Sequence, residues 1–292
     1  MSKCSTNSLK RICTVYTSKL KGIYENLALE EWVFRNHNLG TEGDLLLVWS
    51  NNPAVVIGRH QNPFLEANVR FLKQETIDLA RRHSGGGTVF HGLGNLNISL
   101  LTSQKDHCRP RNLNWIADSL NNAFRTKVLA TKRDDLVFSD ERKISGTAAR
   151  IARNRAYHHL TLLIDEDLDV LRKSLKSPWK DLIETNATRS VPAKHVGQLS
   201  QEVPGITVDE VQQLLVGSFV NKFEESEHRT VEYLDDISFP SINSNLSELR
   251  SWDWIMARTP KFTFKSTVQV EQGKITASGD PDYKIGEKFF PF

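Results

Sequence analysis

The chain has 292 residues, of which 39% are hydrophobic and 9% aromatic, and this composition excludes an intrinsically disordered protein. The net charge of +3 is too small to indicate nucleic-acid binding, and no dense run of lysine and arginine occurs. No apolar run approaches the ~18 residues of a membrane span. The three cysteines are widely spaced and form no CxxC motif. We therefore expect no nucleic acid and no membrane as partners.

The first 24 residues contain lysine, arginine, serine and threonine but no acidic residue, a composition typical of a mitochondrial presequence. In a competing interpretation, residues 11–17 (RICTVYT) are already the first strand, and only a shorter leader precedes it. We predict a leader over residues 1–12 and a mitochondrial location.

Residues 24–35 have apolar side chains at helical spacing and acidic residues in the first half, which predicts an amphipathic helix. Short apolar runs at 45–49 and 54–57 are separated by the turn sequence SNNP, and we predict a hairpin of two buried strands. The polar sequence GRHQNP follows at once, and its Arg59 could offer a guanidinium to a ligand. Further patterns predict helices over 64–76, 112–124, 167–175, 207–224 and 244–257, and strands over 77–82, 96–101, 127–130, 155–164, 262–270 and 274–277.

Residues 81–95, RRHSGGGTVFHGLGN, are the most informative stretch of the chain. Three consecutive glycines are costly in a regular element, and successive backbone N–H groups in such a loop can bind an anion. An ordinary glycine turn is the alternative. The stretch lacks the GxGxxG and GxxxxGK[ST] patterns of nucleotide-binding loops. Its polar neighbours favour a ligand site: Arg81, Arg82, Ser84, His91 and Asn95.

Residues 134–150 predict a hairpin with its turn at 139–141. If the pairing is centred there, Asp135 lies opposite Lys143, at the short distance of a cross-strand pair. Such a pair is most often a surface ion pair of little consequence. Small residues after Lys143, in the sequence ISGTA, would instead let a ligand approach the backbone closely.

His158 and His159 are adjacent in a predicted strand, so their side chains point to opposite faces and cannot readily bind one metal ion. The last 34 residues, 259–292, change character and resemble the start of a second unit, which is too short for an independent core.

Three segments together, GRHQNP, RRHSGGGTVFHGLGN and KISGTA, resemble the lipoate-protein ligase A and lipoyltransferase family. The similarity extends over about residues 24–261, and the segments NLALEEW, YHHLTLL and SWDWIMARTPKF resemble the mitochondrial lipoyltransferases within that family. The resemblance implies the biotin/lipoate ligase-like fold, which is α+β, with a mixed, largely antiparallel sheet flanked by helices. It also implies a catalytic domain over 13–258 and a shortened C-terminal accessory domain over 259–292.

The resemblance also implies the residues of a site. Lys143 corresponds to the family lysine that contacts the activated carbonyl and the phosphate, and is the implied catalytic residue. Asp135 corresponds to an acid that positions the adenylate or binds magnesium. The implied lipoyl-AMP site comprises Arg59, Arg82, Ser84, Gly85, Gly86, Gly87, Val89, His91, Asp135, Lys143, Ser145, Gly146 and Thr147. Cys108 has no family counterpart, unlike the nucleophilic cysteine of the related octanoyltransferases.

Two departures from the family pattern bear on activity. The acid that follows the histidine in the family is Gly92 here, which could reduce activity. The accessory domain is short, and this puts ATP-dependent activation in greater doubt than transfer.

The function that the resemblance implies is that of an acyltransferase: transfer of a lipoyl group from lipoyl-AMP, or from a lipoylated carrier protein, to a lysine of the lipoyl domain of a 2-oxoacid dehydrogenase E2 subunit. The glycine cleavage H protein is a second candidate acceptor, and we expect a monomer. One alternative is a complete lipoate-protein ligase, which would also use ATP and magnesium. Another is a catalytically weakened module that binds lipoyl domains.

Overall fold

The computed structural model describes residues 12–291, which form two compact units. The first unit consists of Met1–Asn52, His91–Asp167 and Pro192–Ile242, and the second of Pro53–Phe90, Leu168–Val191 and Asn243–Phe292. The predicted leader lies outside the described residues except for Ile12, which begins the first strand. The predicted boundary at 258/259 does not separate these units, and as a functional division it stays a prediction.

The first unit is built on a six-stranded sheet with the order β12-β1-β2-β6-β10-β9. The pairs β1–β12 and β1–β2 are parallel, and the other three are antiparallel. A small antiparallel sheet pairs β7 with β8. The strands of this unit are β1 (Ile12–Ser18), β2 (Asp44–Trp49), β6 (Asn95–Ser103), β7 (Val128–Ala130), β8 (Leu136–Phe138), β9 (Ser145–Ala152), β10 (Arg155–Leu163) and β12 (Glu225–Val231).

Helices cover both faces of the six-stranded sheet. On one face, α1 (Ile23–Asn36) packs Leu29, Val33 and Phe34 among side chains that include Leu45 and Tyr157. On the other face, α4 (Arg109–Phe124) and α6 (Val208–Val220) pack against the alternate residues of the same strands. Because successive strand residues point to opposite faces, a run such as LLLVW contributes to both cores.

The second unit contains two sheets. One has the order β4-β3-β5, with β3 (Ala54–Ile57) parallel to β4 (Asp78–Arg81) and β5 (Val89–His91) at its other side. Val89 and Phe90 of β5 belong to this unit, and His91 is counted with the first. The other is antiparallel, with the order β11-β13-β14-β15: β11 (Ile183–Thr185), β13 (Phe262–Phe264), β14 (Val268–Glu271) and β15 (Lys274–Ser278). Aromatic rings fill its core, among them Phe64, Phe262 and Phe289, with centroids 5.1–6.1 Å apart. The helices of the second unit are α2 (Pro63–Glu66), α3 (Val69–Gln74), α5 (Leu168–Ser174) and α7 (Ile242–Arg250).

The mixed sheet with flanking helices confirms the predicted fold class. The predicted hairpin of 45–49 and 54–57 is wrong, because β2 lies between β1 and β6 while β3 pairs with β4. Both runs are buried on both faces and would suit the interior of any sheet, so their composition does not specify a partner.

Several long predicted elements are interrupted. The helix over 64–76 breaks at the extended Ala67, and the Asn68 side chain then caps α3. The predicted C-terminal helix ends at Arg250 and is followed by a π-helical turn over Asp253–Ala257. The helix predicted over 207–224 is present as α6, which begins with a capping box of Thr207 and Glu210. Within residues 12–291, no helix combines the length and hydropathy that crossing a bilayer requires.

Candidate functional site

In the second unit, the glycine loop between β4 and β5 is organised by a buried arginine. The Arg82 guanidinium donates hydrogen bonds to the carbonyl oxygens of Gly85 and Gly87, both at 2.6 Å, and to that of Val56 at 3.0 Å. Its Nε donates to the Ser84 hydroxyl at 2.9 Å. Arg82 therefore turns the loop carbonyls inward and holds the loop in one conformation.

With the carbonyls turned inward, the amides of the three glycines find no hydrogen-bond acceptor in the described part of the chain. Gly86 has a φ of +85°, a conformation that glycine adopts without strain. A Cβ added at Gly85 would meet no atom within 4 Å. The loop thus offers unoccupied amides beside open space, the arrangement of an anion-binding loop.

The GRHQNP segment packs directly beneath this loop. The Arg59 amide donates to the Ser84 carbonyl at 2.9 Å, and a Cβ added at Gly58 would lie 2.2 Å from the Gly86 carbonyl oxygen. The half-buried Arg59 guanidinium lies 5.8 Å from the centre of the Trp254 ring. Only a glycine at position 58 permits this close contact.

Arg81 has a role that the sequence did not reveal, although its position beside Arg82 was a signal. Its side chain is fully buried and donates to the carbonyl oxygens of Gly58, Arg59 and Gln61 at 2.8–3.2 Å. It also donates to backbone carbonyls of the π-helical turn and to the Thr259 hydroxyl. Burial, reinforced by the charge of Arg258, lowers its pKa to about 10. Arg81 therefore ties two loops of the second unit together and places a positive charge beneath the GRHQNP segment.

In the first unit, Lys143 and Asp135 form an ion pair, with Nζ and Oδ1 2.7 Å apart and both side chains about a quarter exposed. The backbone of Lys143 is held on both sides, because its amide donates to the His195 carbonyl and its carbonyl accepts from the Gly197 amide, each at 2.9 Å. The predicted hairpin is present, but Lys143 lies opposite Val137 and not opposite Asp135. The ammonium is thus fixed in position while remaining in part accessible.

The residues after Lys143 brace the aspartate. The Ser145 hydroxyl accepts from the Leu136 amide at 2.7 Å, and the Thr147 hydroxyl donates to the Asp134 carbonyl at 2.8 Å. The Gly146 amide donates to the Thr161 hydroxyl at 3.0 Å. These contacts hold the chain on both sides of Asp135, so the side chains of Ser145 and Thr147 serve the geometry of the ion pair.

His91 is buried and lies in a separate polar chain of the first unit. Its Nδ1 is 2.7 Å from the amide nitrogen of Asn51, and Asn51 in turn contacts Asn26. Neither asparagine belongs to a motif of the sequence that indicates a function. Val89, also a predicted site residue, is half-buried on β5 in the second unit.

The space beside Gly92 is filled by another carboxylate. A Cβ added at Gly92 would lie 2.2 Å from Oε2 of Glu166. This oxygen is buried, and burial raises the pKa of the Glu166 carboxyl. A carboxylate therefore occupies the space beside position 92, although it belongs to Glu166.

His158 and His159 point to opposite faces of the sheet, as predicted. Nδ1 of His159 is 2.9 Å from the Glu30 carboxylate on α1, and Nδ1 of His158 is 3.3 Å from Asn112 on α4. Among residues 12–291 there is no group of three histidine, cysteine or acidic side chains that could hold a metal ion.

Apart from Val89, the predicted site residues occur in three groups. Arg59, Arg82, Ser84 and the three glycines are joined in the second unit, and Asp135, Lys143, Ser145, Gly146 and Thr147 are joined in the first. His91 belongs to its own hydrogen-bonded chain in the first unit.

Comparisons with known proteins agree with these motifs. The sequence model described as lipoyl protein ligase A/B catalytic domain matches residues 22–220. The mitochondrial lipoyl amidotransferase LIPT1 of Homo sapiens is 41% identical over 269 residues, which cover 90% of this chain and 71% of that protein.

Two solved structures share the fold. LipL1 of P. falciparum, solved in complex with lipoate, has a TM-score of 0.73 and 24% identity, covering 90% of this chain and 82% of that chain. The bipartite lipoate protein ligase of Thermoplasma acidophilum, described with its E2 lipoyl domain, has a TM-score of 0.65 and 21% identity, covering 84% and 96%. Since the family model matches more than half of its length and the human relative is 41% identical, the chain belongs to the lipoyl protein ligase A/B catalytic domain family.

Proposed function

We propose that this chain is a lipoyltransferase, which moves a lipoyl group from lipoyl-AMP, or from a lipoylated carrier, to a lysine of a 2-oxoacid dehydrogenase E2 lipoyl domain. Family membership and the similarity to a lipoyl amidotransferase support protein lipoylation as the activity. The chain is accordingly an acyltransferase that forms an amide on a protein lysine. The observation that carries the proposal is the fixed, partly accessible ammonium of Lys143.

The chemistry of transfer explains the need for such a group. The acceptor amine attacks the acyl carbon, the amide bond forms, the acyl–phosphate bond breaks and AMP leaves with its electron pair, while the amine loses a proton. Negative charge develops on the acyl and phosphate oxygens during this step. A preorganised ammonium that stabilises this charge contributes about 10²–10³ in rate. Asp135, 2.7 Å away, keeps the Lys143 ammonium in place.

The glycine loop supports a second part of the proposal, the binding of the phosphate group. Its inward carbonyls and unoccupied amides suit an anion, and Arg81 and Arg82 place two positive charges behind it. We assign the amides of Gly85 and Gly86 to the phosphate of lipoyl-AMP.

Magnesium binding by Asp135 stays a prediction. The carboxylate already carries the Lys143 ammonium, and a magnesium ion there would need phosphate oxygens of a nucleotide to complete its oxygen ligands. We therefore assign no step of transfer to a metal. ATP and magnesium would be required only by a complete ligase.

The proposed acceptors are lipoyl domains of E2 subunits, with the glycine cleavage H protein as a second candidate. A mitochondrial location is supported by the human relative and by the basic, acid-free composition of the first 24 residues. We propose that the chain acts as a monomer.

The first experiment measures transfer from synthetic lipoyl-AMP to an apo-E2 lipoyl domain. We expect Lys143→Ala to lower the rate about 10²–10³-fold, because the developing charge loses its ammonium. Lys132→Ala, at an exposed lysine of the preceding loop, is the matched control and should retain the wild-type rate. Unchanged transfer in Lys143→Ala, with the melting temperature preserved, would show that the Lys143 ammonium does not stabilise the developing charge.

The alternatives are separated by two further measurements. ATP–pyrophosphate exchange in the presence of lipoate would identify a complete ligase, whereas its absence with retained transfer supports the transferase. Stable binding of the lipoyl domain without any transfer from lipoyl-AMP would identify the binding module.

A further inference from the structure

An open groove of about 470 Å³ lies in the first unit, at one edge of the six-stranded sheet. The first turn of α6, with the exposed Asp209, forms part of its lining. None of the residues of the proposed lipoyl-AMP site lines it. The other residues that define the groove follow or precede strands of the sheet: Lys19 and Lys21 after β1, Ser50 after β2, Leu93 before β6 and Asp165 after β10.

Lys143 lies at the same edge of the sheet as the groove. β9 begins two residues after Lys143, and β10 ends two residues before Asp165. The Leu163 amide donates to the Ile144 carbonyl at 2.9 Å, and the Asp165 amide donates to the Gly94 carbonyl at 3.0 Å. These bonds join the chain before β9, after β10 and before β6 in one row. The Asp165 end of the groove is therefore the end near Lys143.

The strand ends that line the groove differ in charge. Lys19 and Lys21 lie at the end of β1, and Asp165 lies at the end of β10. All three side chains are exposed, and none of them forms a salt bridge within residues 12–291. β1 and β10 are three strand spacings apart, about 14 Å, so the two lysines do not neutralise the aspartate directly. A partner that fits presents carboxylates at one end and an ammonium group at the other.

An exposed leucine lies between the two charged ends. Leu93 is 55% exposed in the turn before β6, and its carbonyl accepts from the Ser50 hydroxyl at 3.3 Å. Since β6 lies between β2 and β10, Leu93 is placed between the lysines and Asp165. An apolar centre with a charged rim is the usual composition of a protein–protein interface.

We propose that this groove docks the acceptor domain, with carboxylates of that domain against Lys19 and Lys21 and its target lysine passing Asp165 toward Lys143. The proposal rests on the function proposed above and assigns the acceptor-binding surface. The Asp165 carboxylate attracts the ammonium of the target lysine at the end of the groove near Lys143. The face of one folded domain covers the span of about 14 Å, because a 100-residue domain has a radius of gyration of about 13 Å.

Steady-state transfer from lipoyl-AMP to an apo-E2 lipoyl domain tests the proposal. We expect the double variant Lys19→Glu/Lys21→Glu to raise KM for the lipoyl domain about tenfold, with kcat and KM for lipoyl-AMP unchanged. The neutral variant Lys19→Gln/Lys21→Gln should have a smaller effect in the same direction. Added salt should reduce both effects, because the charges are exposed. A wild-type KM for the domain in the Lys→Glu double variant would overturn the inference.

The matched control is Lys105→Glu/Lys127→Glu, which changes the net charge by the same amount. Both lysines are exposed and neither lines the groove, and Lys105 follows β6 at the opposite edge of the sheet. We expect this variant to keep the wild-type KM for the lipoyl domain. An equal rise in KM would show that net charge governs docking, and the groove would not be the docking surface. The melting temperatures of all variants should match that of the wild type.

Binding measured without turnover separates this proposal from the proposed function. Titration of the ¹⁵N-labelled apo lipoyl domain with the intact chain gives Kd by NMR. We expect Kd to rise about tenfold in Lys19→Glu/Lys21→Glu and severalfold in Leu93→Ser. If the wild type binds the domain through the groove but transfers no lipoyl group, the proposed function fails and the docking surface stands. If the wild type transfers and Kd is unchanged in these variants, the docking surface is wrong.

Discussion

Gly58 and Gly85 are both glycines of the second unit, but a side chain would meet different surroundings at each. At Gly85 an added Cβ meets nothing within 4 Å, and at Gly58 it lies 2.2 Å from the Gly86 carbonyl oxygen. The first position therefore faces open space, and the second is closed by the protein itself.

We expect Gly85→Ala to fold with a wild-type melting temperature and to bind lipoyl-AMP roughly ten- to hundredfold more weakly. The methyl group would occupy the space of the phosphate and remove a charge-assisted hydrogen bond, about 1.5–3 kcal/mol. Gly58→Ala is the counterpart, and its overpacking should cost about 1–3 kcal/mol of folding free energy. Calorimetry with a non-hydrolysable lipoyl-AMP analogue measures the affinity of both variants, and thermal unfolding measures their stability. Wild-type affinity in Gly85→Ala would contradict the assignment of the loop.

At Gly92, the structure changes the expectation that restoring the family acid would restore activity. Restoring the family acid at this position places a Cβ 2.2 Å from Oε2 of Glu166 and brings two carboxylates together. We expect Gly92→Asp to destabilise the protein by about 1–3 kcal/mol and to lower transfer. Adding Glu166→Gly should recover most of the stability by removing the first carboxylate. Denaturant unfolding measures the free energy of unfolding of the single and double variants. If the losses of the two single variants add up in the double variant, the two positions do not interact.

Arg81 acts at the scale of elements, because one guanidinium joins the GRHQNP segment after β3 to the π-helical turn. Its acceptors are carbonyl and hydroxyl oxygens in the described residues, and a lysine has too few donors in the wrong geometry to reach them all. We expect Arg81→Lys to cost about 3 kcal/mol or more, since buried carbonyls lose their partners at about 1–3 kcal/mol each.

The matched control for this prediction is Arg172→Lys on α5. Arg172 forms an exposed ion pair with Asp169, and such pairs contribute about 0–1 kcal/mol. Urea unfolding of both variants gives the comparison. If Arg81→Lys loses no more free energy of unfolding than the control, Arg81 does not hold the two loops together.

The whole molecule is expected to lose stability in acid because of buried histidines. Burial lowers the pKa of His158 from 6.5 to about 3, with a further contribution from the charge of Arg109, and burial also lowers the pKa of His107. The unfolded chain therefore binds more protons than the folded chain below pH 6.5. The stability contributed by the neutral histidine is complete above the unfolded pKa of 6.5 and is lost as the pH falls from there toward 3.

For His158 the loss is about 1.4 kcal/mol per pH unit, or about 2.7 kcal/mol at about pH 4.5. We expect His158→Gln to be less stable than the wild type at neutral pH but to lose less stability on acidification. His228→Gln, at an exposed histidine of β12, should follow the wild-type pH dependence. The measurement is urea unfolding at pH 7 and about pH 4.5. If His158→Gln and the wild type show the same pH dependence, the buried His158 is not the cause of the stability loss in acid.

Local patterns in the sequence determined the elements and the motifs. The spacing of apolar residues in 24–35 and in 207–224 is a local property, and both predicted helices form. The glycine triplet indicated an anion-binding loop, and the residues around 139–141 indicated the hairpin that carries Lys143. Such local signals predict the elements correctly because short-range sterics and hydrogen bonds act within a few residues of the chain.

Partners distant in sequence were decided only by the tertiary structure. The apolar run of β3 could have paired with β2, yet it pairs with β4, because burial on both faces carries no information about the neighbouring strand. The Glu166 carboxylate beside Gly92 and the route from Asn26 to His91 join residues 74 and 65 positions apart in the chain. Polar side chains of these types are common throughout the sequence, and only their buried placement in the fold gives each one a defined neighbour.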